Sequence, residues 1–191
     1  MRAAKTPSQI VSGLAAGLCA FATLCAILWT PDPAEAGTPL ETTVKATYLY
    51  KLAPFVTWPD GGNGPFTICV VGQDPFGAQL DRAVAGQSLG TRPFQIVRMD
   101  SITPQSVCQI AYIGGSRDQS VAGALRAVQG APVLTVTDEG DASGIVEFAV
   151  RDNRVRFRID QAAAVDNRLT ISSKLLSLAL TVKPAKGAGQ P

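Results

Sequence analysis

Histidine is absent from all 191 residues, and that gap removes a large part of enzyme chemistry. Without imidazole there is no Ser-His-Asp triad, no Cys-His nucleophile pair and none of the commonest zinc sites. Carboxylate, lysine or thiol chemistry stays formally open. No serine-lysine or paired-carboxylate arrangement, however, stands at a recognisable motif spacing. The chain therefore reads as a non-catalytic binding or regulatory protein with no cofactor and no metal, and an enzyme is the lesser alternative. A charge excess is lacking too. Lys and Arg number 17 against 15 Asp and Glu, a net +2, which is too small to draw nucleic acid by counter-ion release. Apolar residues at 46% and charged residues at 17% are ordinary for a globular chain and argue against disorder. No internal repeat or domain linker is visible, so one domain is expected.

The first segment carries Arg2 and Lys5, an apolar run from about Ile10 to Trp29, and Ala34-Glu35-Ala36 before Gly37. That is the pattern of a signal peptide with an A-x-A cleavage site. The expected organisation is a signal peptide over residues 1–36, cleaved after Ala36, and a periplasmic domain over 37–191. Such a domain has no direct membrane insertion after cleavage. An uncleaved anchor is the rival reading of the long apolar run, and helix-breaking Pro31 and Pro33 favour cleavage. Lipoprotein processing is disfavoured because Leu18 and Leu24 precede Cys19 and Cys25. Both of those cysteines leave with the signal, and Cys69 and Cys108 remain. An even pair in an oxidising compartment reads as a disulfide, closing a loop of about 40 residues. A redox switch needs a strained or exposed bond, and a two-thiol metal site lacks the histidine to complete it.

The apolar positions Ala46, Leu49, Tyr50 and Ala53 predict a helix over 43–56, with Thr42 or Thr43 as N-cap and Trp58-Pro59 as the stop. After a Gly61-Gly62-Asn63-Gly64 loop, the apolar run Phe66–Val71 ending at Gly72 predicts a buried parallel strand. A helix over 76–84, strands over 94–99 and 110–113, a helix over 121–128 and a strand over 132–137 follow. Residues 144–150 and 154–159 alternate around Arg151-Asp152-Asn153, which predicts an antiparallel hairpin. Ser172 or Ser173 is placed to cap a last helix through Leu175, Leu176, Leu178, Ala179 and Val182, stopped by Pro184. Beyond it, residues 186–191 read as a tail. The fold class is α/β: a single domain, a mostly parallel open sheet with helices on both faces, and the hairpin at one edge.

Gly114-Gly115-Ser116 and the stretch from Gly72 to Gly77 both follow strands. The crevice beside them is where a small ligand would bind, although two glycines form no phosphate-binding motif and an ordinary turn is the plainer reading. Asp138, Glu139 and Asp141 read as a solvated acidic loop rather than a metal site. Arg154, Arg156 and Arg158 share one side of their strand, opposite Val155, Phe157 and Ile159. They form either a solvated face partly paired with Glu147 or a docking strip for an acidic partner. Tyr48, Tyr50, Phe55 and Trp58 read as core.

Several segments together resemble the YfiR family of small periplasmic regulators. These are residues 44–52 running on to Phe55-Val56 and Trp58-Pro59; Ile68-Cys69-Val70-Val71-Gly72 with Asp74-Pro75-Phe76-Gly77; and the strand opened by Cys108. Leu134 to Asp138, Val155 to Asp160 and Leu169 to Ala179 complete the set. The resemblance implies a non-enzymatic repressor that binds the periplasmic domain of an inner-membrane diguanylate cyclase, lowering cyclic di-GMP and biofilm formation. It also implies a homodimer and a Cys69–Cys108 disulfide. One departure is visible: Arg158 and Asp160 stand where that strand usually carries an acidic residue and an amide. A periplasmic small-ligand sensor or carrier, using Gly72, Gly77, Gly114, Gly115 and Ser116, is the second expectation.

Overall fold

Thr42, Lys45, Ala46, Leu49 and Leu52 are the buried residues of the first helix, α1 (Pro39–Leu52), and their spacing sets them on one stripe. In the computed structural model residues 39–59 and 62–185 are described, and they fall in one compact unit. The expected signal peptide, the residues next to its cleavage site and the terminal tail lie outside the described residues. The helix is already formed at Pro39, so Thr42 and Thr43 are interior residues rather than its cap. A 3-10 turn at Ala53–Phe55 with Pro54 in its first positions ends it, because proline supplies no N–H for the next helical bond.

After α1 come β1 (Val56–Thr57) and β2 (Phe66–Gly72), then α2 (Ala78–Val84), β3 (Ser88–Leu89), β4 (Arg92–Met99) and β5 (Ile110–Gly115). They are followed by α3 (Val121–Ala127), β6 (Leu134–Asp138), β7 (Val146–Arg151), β8 (Arg154–Asp160) and α4 (Gln161–Asp166). The chain closes with β9 (Thr170–Ile171), α5 (Ser173–Leu176) and β10 (Val182–Lys183). Eight strands form one sheet in the order β10-β8-β7-β6-β5-β2-β4-β3. From β4 through β7 the neighbours run parallel, whereas β7 and β8 form the antiparallel hairpin. Its turn residues Asp152 and Asn153 have φ of 51° and 58°, the left-handed pair that a two-residue hairpin loop requires.

Alternate side chains of the sheet feed two apolar layers. Phe66, Ile68 and Val70 of β2 lie in the larger layer with Leu49 of α1 and Leu80 of α2. Cys69 and Val71 face the smaller one, with Ala124 of α3. Helices thus cover both faces, as the apolar runs of the central strands require. The last helix departs from expectation: α5 is a single turn, N-capped by Ser172 through a bond from the Leu175 N–H. Val182 belongs to β10, which pairs parallel with β8. The hairpin therefore sits one short strand in from the sheet margin. Pairing with a distant strand outweighed the helical spacing of Leu178, Ala179 and Val182.

Candidate functional site

The chain leaves β2 for β4 on one side and returns to β5 on the other, so β2 and β5 flank the switch point where open α/β sheets hold ligands. Gly72, Gly114, Gly115 and Ser116 do meet there, around a shallow hollow of about 560 Å³ shared with Asp100 and Arg117. Gly77 lies apart from it, opening α2, where its N–H and that of Phe76 donate to Asp74 Oδ1 at 3.0 and 2.7 Å. The glycines of the crevice touch each other's loops. A Cβ on Gly72 would stand 2.0 Å from the Gly115 carbonyl oxygen, and one on Gly114 would stand 2.2 Å from that of Gln73. The Gln73 N–H donates to Gly115 O at 2.8 Å and the Ser116 N–H to Gln119 O at 2.8 Å. These two donors, which a bound anion would use, already have partners inside the protein.

Beneath α1 a polar cluster sits where the helical stripe should be apolar. Lys45 is only 8% exposed, and its Nζ lies 2.6 Å from Glu41 Oε1 and 2.8 Å from Asp138 Oδ1. The Tyr112 hydroxyl donates to the other oxygen of Asp138 at 2.9 Å. Burial works against the Lys45 charge, but contacts with Asp138 and Glu41 outweigh it and hold the ammonium above its ordinary range. Burial, with the charge of Asp138 beside it, pushes the Tyr112 phenol far up. The sequence reading missed this cluster, although a signal was present: Lys45 falls on the same stripe as Ala46 and Leu49. Asp138 and Glu139 accordingly are not plain solvated residues. Glu139 receives Arg151 and Arg158, and those hydrogen bonds hold its carboxyl down at about 2. Asp141 is exposed.

The three hairpin arginines divide. Arg158 stands opposite Glu147 in the β7–β8 register and binds it at 2.6 Å, with Glu139 at 2.8 Å. Arg154 and Arg156 are exposed and have no ion pair among the described residues. They border a groove of about 380 Å³ between α1 and the hairpin, whose lining of Leu40, Val44, Tyr48, Val150 and Val155 is joined by Glu41 and Asn153. Leu40 is 72% and Val150 38% exposed. Tyr48 packs edge-on against Phe157, while Tyr50, Phe55 and Trp58 pack partly buried against the main apolar layer.

Cys69 and Cys108 are joined by a disulfide with Cα atoms 5.8 Å apart. It lies under the smaller apolar layer, with the two residues 0% and 5% exposed. The bond ties the β4–β5 connection to the middle of the sheet. That connection is also held by Gln119, whose side chain pairs with both the N–H and the C=O of buried Ile102.

Among the described residues no helix is long and apolar enough to cross a membrane. A family model described as YfiR/HmsC-like matches residues 42–180, a span reaching from α1 through the hairpin and α5 and ending before β10. No curated protein matches the chain.

Proposed function

The chain belongs to the YfiR/HmsC-like family, and from that premise we propose that it is a periplasmic, non-catalytic regulator of an inner-membrane diguanylate cyclase. In this reading it binds the periplasmic domain of the cyclase and represses it, lowering cyclic di-GMP and biofilm formation. The observation that carries the reading is the match over residues 42–180, which takes in the parallel strands from β2 to β7 and the hairpin. The disposition of the polar groups supports binding over turnover. Lys45, Asp138 and Tyr112 are spent on one another under α1, and two donors of the switch-point crevice are spent on its own loops. The groove beside α1, by contrast, combines a mostly apolar lining with two arginines that have no ion pair among the described residues, the composition of a protein-docking surface.

Cyclic di-GMP measured in cells lacking the protein, and again after its restoration with residues 1–36 intact, tests the proposal. A rise on deletion that is reversed on restoration is the expected result. An unchanged level, in cells that normally make the protein, refutes repression and leaves the family match as evidence of fold. The exported form begins at Gly37 and forms a homodimer in this reading, to be checked by intact mass and sedimentation of the periplasmic protein.

A further inference from the structure

The sheet margin at β8 is only half covered. β10 pairs with β8 at Ile159 and Asp160, and the contacts continue back only to the Phe157 C=O, which accepts from the Leu180 N–H at 2.9 Å. The Ile159 N–H donates to Thr181 O on the same side at 3.0 Å. In an antiparallel hairpin successive residues turn their backbone groups alternately toward and away from the partner strand. The backbone N–H and C=O of Val155 therefore point away from β7, along with the Phe157 N–H, although the two residues as a whole are only 9% and 6% exposed. Among the described residues no strand lies beside them.

Directly against this open backbone lies the groove under α1, with Val44, Tyr48 and Val155 in its wall. Arg154 and Arg156, which alternate with Val155 along the strand, border the same groove and have no ion pairs among the described residues, whereas Arg158 and Arg151 are neutralised by Glu139 and Glu147. Charged residues on an exposed strand guard it against pairing with its own kind. If two copies met antiparallel through this edge, their arginines would be brought together. A negatively charged strand turns the same guard into an attraction.

We propose that the open edge of β8 and the groove beneath α1 receive an extended segment of a partner protein in which acidic residues alternate with apolar ones, added as a strand beside Val155. The alternation follows from the geometry. Side chains of an added strand point to opposite faces in turn, so apolar ones enter the groove and acidic ones reach Arg154 and Arg156. This inference rests on the reading that the chain docks on another protein and names the surface and the recognition chemistry.

Two measurements on the full exported protein test it. The first is amide exchange with a short peptide alternating Glu with Val. Protection of the Val155 and Phe157 amides is expected, with none from the Lys–Val counterpart, and R154E/R156E should reverse that preference. Both arginines are exposed, so the variant is expected to keep its fold, and an unchanged melting curve checks this. No protection at those amides, or equal protection by both peptides, overturns the proposal. The second is capture of the periplasmic domain of the cyclase, which R154E/R156E should weaken by about tenfold or more. Equal capture by wild type and variant sinks the docking surface and leaves the regulator standing. No capture by the wild type, with the peptide effect intact, sinks the cyclase reading and leaves the edge. Self-association that R154E/R156E abolishes would assign the edge to a second copy and refute the acidic partner.

Discussion

Replacing Gly72 by alanine separates two accounts of the glycine-rich crevice, packing and ligand binding. Gly72 has φ of +78°, and an added Cβ would lie 2.0 Å from Gly115 O and 2.3 Å from its carbonyl carbon. A left-handed conformation costs a non-glycine residue about 1–2 kcal/mol. Relieving the contact means moving backbone by about an ångström, since neither atom belongs to a flexible side chain. That movement breaks the 2.8 Å bond from the Gln73 N–H to Gly115 O, adding the net worth of an ordinary internal hydrogen bond, about 0.5–1.5 kcal/mol, because Gln73 is an exposed residue. Gly72→Ala is therefore expected to cost about 1.5–3.5 kcal/mol before the backbone displacement is counted, a sizeable share of a typical domain stability. Gly90→Ala serves as the control, because Gly90 has φ of +60° with nothing within 4 Å of the added carbon. It should lose only about 1–2 kcal/mol. Urea unfolding at unchanged m-value gives both numbers. Equal losses would mean that the two loops part freely, and the crevice would return as a candidate ligand site.

Two further outcomes follow from the bonds described. Replacing both Cys69 and Cys108 by alanine should lower stability by about 3–4 kcal/mol, because the residues are 39 apart in sequence and the bridge limits the unfolded chain accordingly. Thiol labelling of the wild type under reductant should track global unfolding, since both residues are buried; rapid labelling of the folded protein would contradict that burial and favour a switchable bond. Hydrogen bonds from Arg151 and Arg158 lower the carboxyl of Glu139 from 4.5 to about 2. Its contribution to stability is thus fully present above the unfolded value and withdrawn as pH falls toward the folded one. The stability difference between wild type and Glu139→Gln should accordingly shrink between about pH 4.5 and pH 2, and a difference constant across that range would show the ion pairs to be inert, as exposed pairs often are.

Much of the chain could be read locally. The apolar run from Phe66 to Val71 is a central parallel strand because it is buried on both faces. Asp152-Asn153 makes the hairpin turn because those residue types tolerate positive φ. The arginine alternation was also visible, but not that Arg158 would be taken up by Glu147 and Glu139 while Arg154 and Arg156 have no ion pair among the described residues. Helix α4 went unread because its six residues make less than two turns, too few to show a period. Strands β1 and β9 are two residues each and exist only as each other's partners.

Composition, the lack of histidine, the cysteine pair and the periodicity of the longer elements were settled by sequence alone, because they depend on residue types and near neighbours. Tertiary structure decided which strands lie side by side, and so that β2 and β5 meet glycine against glycine. It decided that Lys45, on the buried stripe of α1, would be held against Asp138 from 93 positions away. It also decided that β10 would stop short of Val155. Each of these depends on contacts between segments distant in the chain, whose free energy no local pattern contains.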